Sequence, residues 1–440
     1  MKIKIIIFYF ILAAILALLF VFSLMQVSAE PSVMWDKTYG GTGYDRAQSL
    51  VVTSDGGYAI LGRTTSFGEG GSDAWLVKTD ALGNMMWNHT YGGTNFDAGM
   101  SLVATSDGGY AIAGHTSSFG AGDVDFWLVK TDSAGNMLWQ EAYGGTGLDR
   151  TYTMVVALDG GYALAGYTNS FDSENYDFWL VKTDSSGKME WSQNYGGTEY
   201  EYAFSLVATH DGGYAIAGET GSFGAEGDFW LVKTDADGNM EWSQNYGGPK
   251  YDRAESLIVT SDGGYLIAGS TAVSNENVDL LLVKTDASGN MVWQKTYGKT
   301  AEDYGVSGDS PTSVVQTNDG GYAIAGFTGP SATGDDAWLV KTDANGNMEW
   351  NQTYGESGVE LALCVVQTSD GGYALAADKS KVSAEDYDFW LIKIEPEDTI
   401  EPTPSDGAAL ALPMEYVYVA IIAVLIVVVV IAVIAYRKRK

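Results

Sequence analysis

The stretch Thr53–Ile60 reads TSDGGYAI, and the same spelling returns six more times with small changes. The copies are TSDGGYAI from Thr105, ALDGGYAL from Ala157, THDGGYAI from Thr209, TSDGGYLI from Thr260, TNDGGYAI from Thr317 and TSDGGYAL from Thr368. Glycine accepts positive φ at little cost and Asp bonds to its own backbone, so SDGG between two β-rich runs reads as a hairpin turn. A turn shared by seven units is architecture. Chemistry has to be sought elsewhere.

Successive copies are separated by 52, 52, 52, 51, 57 and 51 residues, and a fixed period near 50 calls for a propeller or a solenoid. Each unit holds four short strand-like runs, in the first AQSLVVT, YAILGRT, AWLVKTD and NMMWNHTYG. The expectation is therefore an all-β, seven-bladed β-propeller of four-stranded blades spanning residues 33–395. The last unit stops after its third strand, DFWLIKIEPE, while an orphan fourth strand, MWDKTYGG, precedes the first unit at Met34–Gly41. Pairing the orphan with the last blade closes the ring and hides two sheet edges.

Tryptophan recurs in register. Trp35, Trp87, Trp139, Trp191, Trp242, Trp293 and Trp350 fall in the fourth strand, and the other six of the 13 fall in the third. At about 150–250 Å² of buried ring and about 25 cal/mol per Å², each is read as core worth a few kcal/mol of blade-on-blade packing. The run TDxxGNMxW, as in TDALGNMMW and TDADGNMEW, resembles the tryptophan-docking repeat of quinoprotein-dehydrogenase-like propellers. The whole unit is similar to repeat propellers on archaeal and bacterial cell-surface proteins, which implies fold and setting. Quinone-dependent dehydrogenases of that superfamily typically have eight blades, and many place adjacent cysteines over the cofactor. This chain has seven repeats and one cysteine, so their redox activity does not carry over.

The ends differ from the body. Residues 1–29 combine Lys2 and Lys4 with an apolar run and Val27-Ser28-Ala29, an export signal or an uncleaved signal anchor. Residues 396–415 read as a stalk, and residues 416–436 enclose an unbroken apolar stretch long enough to cross a bilayer as a helix. Arg437 to Lys440 then place the C-terminus in the cytoplasm by the positive-inside tendency, and the body outside a cell membrane crossed once. Six of the 24 Lys and Arg lie in the terminal segments and none of the 56 Asp and Glu do, so residues 30–415 carry 18 minus 56, or −38. That sign excludes a nucleic-acid reader. Hydration in a salty exterior explains it, with loose binding of calcium as the sharper alternative. Otherwise no cofactor is expected. Cys364, within LALCVVQT, reads as a small buried hydrophobe.

Internal copies separate shared duties from private ones. In a propeller the SDGG and DxxGN turns share one rim, and the loops between strands two and three and between blades share the other. The second rim varies here. The residue before the Thr or Lys that ends strand two is Arg63, His115, Tyr167, Glu219, Ser270, Phe327 or Asp378. A second variable set follows the blade junction: Arg46, Ala98, Arg150, Tyr202, Arg253 and Leu361. Three arginines in an acidic body are a candidate for forked bonds to an anion or a glycan. Solvated tips paired with neighbouring acids are the plainer reading.

An acid before strand three recurs in every unit, from Asp73 to Asp388, and such regularity points to loop capping over cation binding. Asp303 and Asp309, in the longer sixth junction YGKTAEDYGVSGDSPTS, are the candidates for a private metal site. The three histidines, at 89, 115 and 210, show no convergence on a metal or a triad. Asn88 and Asn351 open glycosylation sequons on the outer strand. The reading is a surface binding or adhesion module for a glycan, envelope polymer, protein or small anion. The alternatives are an extracellular hydrolase, a degenerate quinoprotein, or a purely structural envelope protein.

Overall fold

A computed structural model describes residues 31–397 apart from 172–174, 225–226, 273–276, 299–306, 330–333, 357 and 381–385. The expected export signal, membrane helix and tail, and the stalk beyond Glu397, lie outside the described residues, as does Asp303. Among the described residues no helix is long and apolar enough to cross a membrane.

Among the described residues seven sheets form, one for each repeat. After the leading strand β1 (Val33–Tyr39), the first blade comprises β2 (Asp45–Val52), β3 (Tyr58–Thr64), β4 (Asp73–Thr79) and β5 (Met85–Tyr91), antiparallel in that order. β1 joins the last sheet instead, beside Tyr387–Ile394, with Thr38 opposite Trp390 and Tyr39 opposite Phe389. Ser32 and Glu395 fasten the two ends, the Glu395 amide donating to the Ser32 carbonyl at 3.0 Å and the Ser32 hydroxyl to Glu395 Oε2 at 2.6 Å. One sheet exceeds four strands: Ser307–Gly308 adds in parallel to Asn277–Val278 of the fifth blade.

The core is divided into seven clusters, and each spans two neighbouring blades. Ala47, Leu50 and Trp75 of the first blade meet Ala374, Phe389 and Leu391 of the last, so the ring is closed by packing as well as by pairing. Third-strand tryptophans are core: Trp127 and Trp179 are wholly buried, and Trp179 lies 4.4 Å from the Phe126 ring of the preceding blade. Fourth-strand tryptophans depart from the expectation. Trp35, Trp87, Trp139, Trp191, Trp242 and Trp293 are half-buried and only Trp350 is buried, because the outermost strand has protein on one face alone. Each indole instead meets the DGGY tyrosine of the next blade, as Trp35 meets Tyr58 at 5.9 Å and 71°.

The opening motif now has a physical account at each position. Gly56 stands at φ +81°, where other residues are strained, and a β-carbon on Gly57 would strike the Thr79 carbonyl at 2.1 Å. Asp55 Oδ1 accepts from the Thr53 hydroxyl at 2.5 Å and the Gly57 amide at 3.1 Å. It also binds Lys78, which reaches the turn from strand β4 with Nζ 2.9 Å from Asp55 Oδ2. That lysine was not foreseen. It is buried in all seven blades and paired each time with the DGGY aspartate. The signal was present in the sequence as the invariant Lys of LVKT or LIKI.

Candidate functional site

The two variable sets are one set of couples. In the first five blades Arg46 stands opposite Arg63, Ala98 opposite His115, Arg150 opposite Tyr167, Tyr202 opposite Glu219 and Arg253 opposite Ser270. Ser310 opposite Phe327 and Leu361 opposite Asp378 complete the ring; Ser310 was hidden in the sequence by the long sixth junction. Directly opposed residues in an antiparallel pair share one face, so each blade presents one variable couple. First strands of successive blades neighbour one another, which sets the couples around the inner mouth of the ring.

None of these residues is a solvated tip. His115, Tyr167, Glu219 and Asp378 are buried, and Arg46, Arg63, Arg150, Tyr202, Arg253, Ser270 and Phe327 are half-buried. They fall into two neighbourhoods. Across the closing seam, Arg46 Nε bonds Asp378 Oδ2 at 2.6 Å, and Asp378 Oδ1 accepts the Ala47 amide at 2.9 Å. Burial pushes the Asp378 carboxyl up to about 7 against the pull of Arg46. Arg63 lies over the Tyr44 ring at 4.9 Å and the Phe96 ring at 5.5 Å, and Phe96 stacks on His115 at 5.9 Å. Burial, then Arg150, lowers the His115 imidazole to about 4, so it is neutral at physiological pH.

The second neighbourhood, in blades three to five, is aromatic. Tyr167 meets Tyr202 at 4.7 Å and Tyr176 at 5.2 Å, while Tyr152 meets Phe204 at 5.1 Å. Arg253 covers the Phe204 ring at 4.1 Å and pairs with Glu255 at 2.8 Å. The Tyr251 hydroxyl donates to Glu219 Oε2 at 2.6 Å. Burial raises Glu219, and it pushes Glu255 up to about 7. Arg150 lies against the Tyr152 and Tyr167 hydroxyls, and its buried Nε has no acceptor. Sequence reasoning found Arg150, Tyr167, Tyr202, Glu219 and Arg253 but missed Tyr152, Phe204, Tyr251 and Glu255, which come together only through the ring.

The remaining candidates lie elsewhere. Asp309 is buried and accepts the Thr328 hydroxyl, the duty that Asp45 performs for Thr64, so it is the sixth blade's copy of a shared junction acid. Asn88 and Asn351 are exposed on outer strands, each carbonyl oxygen accepting a tryptophan indole, from Trp75 at 3.1 Å and from Trp338 at 3.0 Å. Cys364 is half-buried with its thiol raised by burial, which leaves it without nucleophilic activation. A depression of about 340 Å³ between the first two blades, lined by His89, Phe119 and Met137, contains none of the candidates.

No protein-family model matches the chain. The regulatory protein FlaEY of Caulobacter vibrioides is 25% identical over 246 residues, 49% of this chain and 25% of that protein. The chain thus spans about a quarter of that relative's length. Among solved structures, the Pan2 WD40 domain of Neurospora crassa superposes with TM-score 0.50 at 11% identity, covering 83% of this chain and 97% of that one. A puromycin hydrolase does so with TM-score 0.50 at 12% identity, over 82% of this chain and 55% of that one. At such identities the likeness concerns the propeller fold.

Proposed function

We propose that the chain is a cell-surface binding module whose propeller engages an acidic glycan or envelope polymer through the varied rim, without breaking bonds. The apolar segment 417–435 would anchor it in the membrane once, with 437–440 inside and the propeller outside. One observation carries the ligand class: Arg150, with a buried Nε lacking an acceptor, stands in a cluster of tyrosines beside a second guanidinium, Arg253. Sugar rings pack on aromatic faces, and guanidinium forks match carboxylate and sulfate oxygens. The wall also offers Glu219 and Glu255, which favour a hydroxyl-rich chain over a small compact anion.

The test is binding of acidic and neutral polysaccharides to the purified full chain and to the double variant Arg150→Gln/Arg253→Gln. Retained thermal unfolding would show that the variant still folds. At least tenfold weaker binding of acidic polymer by the folded variant is expected. Equal binding by both proteins would refute the assignment. Protease shaving of intact cells reports on the location: the propeller is expected to be cut away while a short membrane fragment stays.

A protein ligand is the second reading, favoured by Phe67, Phe171 and Phe223. These are 42%, 43% and 40% exposed on the same rim, each propped on its blade's third-strand tryptophan. The likeness to a regulatory protein accords with it.

A further inference from the structure

The propeller uses its two kinds of cation differently. Between residues 30 and 415 the sequence has four arginines, Arg46, Arg63, Arg150 and Arg253, and all four fall in the opposed couples at the inner mouth of the varied rim. Seven buried lysines serve the turn rim instead. The planar fork of N–H donors that only arginine has is thus reserved for one place.

Those four forks are not equally occupied. Arg46 pairs with Asp378 at 2.6 Å and Arg253 with Glu255 at 2.8 Å, while Arg150 meets only the Tyr152 and Tyr167 hydroxyls and its Nε has no acceptor. Arg63 makes no hydrogen bond or ion pair with any described residue. Its contacts are two rings: the half-buried guanidinium lies over Tyr44 at 4.9 Å and over Phe96, from the next blade, at 5.5 Å. Ring stacking occupies the faces of a guanidinium and leaves its in-plane donors open. Held in this way, the group has less side-chain freedom to lose when it binds.

Arg63 and Arg150 share one continuous surface. Phe96 stacks on His115 at 5.9 Å and 14°, and His115 Nδ1 lies 3.4 Å from the carbonyl oxygen of Thr151, the neighbour of Arg150. Burial first, and then Arg150 and Arg63, lower the His115 imidazole, so both guanidiniums are felt at that ring. Among the described residues no carboxylate forms an ion pair with either one. In a body of net charge −38, two open cations on one surface are suited to an incoming anion.

We infer, on the reading that an acidic polymer engages the varied rim, that Arg63 is a second anchor for it, so that the ligand presents at least two acid groups along one chain, one to Arg63 in the first blade and one to Arg150 in the third. Guanidinium forks accept carboxylate and sulfate alike. Joining two contacts in one chain makes the second intramolecular, which favours a polymer over its own monosaccharide.

The probes are polygalacturonate against galacturonate for the carboxylate arm, and dextran sulfate against sulfated glucose for the sulfate arm, titrated into the purified full chain. Wild type is expected to bind the polymer of one arm about a hundredfold more tightly than the matching monosaccharide, counted per acid group. Arg63→Gln is expected to keep its Tm, since no hydrogen bond is lost, and to weaken polymer binding about tenfold or more. If that variant does not fold, Arg63→Lys takes its place, keeping the charge without the fork, with a loss of about threefold or more. Lys37→Gln, the same charge change on an exposed outer-strand residue, should cost less than about twofold. A polymer bound no more tightly than its monosaccharide, a folded Arg63 variant that binds polymer as wild type does, or an equal loss in Lys37→Gln would overturn the inference. If Arg150→Gln/Arg253→Gln loses the polymer while Arg63→Gln keeps it, the second anchor falls and the polymer still belongs to this rim. If neither variant loses it, both conclusions fall.

Discussion

The two rims of the ring hold their charges by opposite strategies. On the turn rim, Lys78 answers Asp55 within one blade, and the same pair is stamped into every blade. On the varied rim, Arg46 finds Asp378 across the closing seam, Arg253 finds Glu255 in its own strand, and Arg150 finds tyrosine hydroxyls. A repeated pair serves a need common to all blades. A pair that occurs once is available for a private purpose, and it is more costly to disturb because nothing beside it is equivalent.

The largest effect expected is at Arg46. Replacing it with Ala leaves the wholly buried Asp378 without its counter-charge, and a loss of about 3 kcal/mol is expected in chemical denaturation. Arg46→Leu combined with Asp378→Leu should recover most of it, since a buried pair is stabilising mainly relative to its broken form. On the turn rim, Lys78→Ala is expected to cost about 2 kcal/mol, and Lys130→Ala the same within about 0.5 kcal/mol. A large difference between those two lysines would end the claim that the rim is uniform.

The rims also differ in their response to pH. Asp378 and Glu255 titrate near 7 when folded, above their ordinary values, so the folded state keeps protons that the unfolded chain releases. Their contribution therefore falls as pH rises from about 4.5 to 7, by up to about 1.4 kcal/mol per pH unit for each proton. His115, lowered to about 4, works the other way, but one imidazole opposes two carboxyls. Asp55, held down at about 2 chiefly by its bond from Lys78, adds stability that is lost as pH drops below about 4. Tm measured in chelator is thus expected to peak near pH 4–5, and Asp378→Asn should flatten the alkaline limb.

Smaller effects attach to single hydrogen bonds between blades. The Tyr39 hydroxyl donates to the Gly83 carbonyl of the next blade at 2.6 Å, and the same latch recurs from Tyr91 to Gly135 and from Tyr195 to Gly238. Tyr39→Phe is expected to cost about 1 kcal/mol. Smallest is Ser270→Ala, which removes a half-buried bond to Ser310 and should shift stability by no more than about 0.5 kcal/mol.

What the sequence determined by itself is whatever a single repeat can express: the period, the four strands, the turn at DGG and the orphan strand that closes the last blade. These follow from local backbone preference and alternation, and seven copies average out local ambiguity. What only the tertiary structure decided is which residues of different blades meet. The spacing of Arg46 and Asp378, 332 positions apart, carries no local signal, and neither does the gathering of Tyr152, Phe204 and Arg253. The half-burial of the outer tryptophans belongs there too, since burial depends on whether another blade covers a face. Closing the ring brings residues from different repeats side by side, and no periodicity within the chain encodes those meetings.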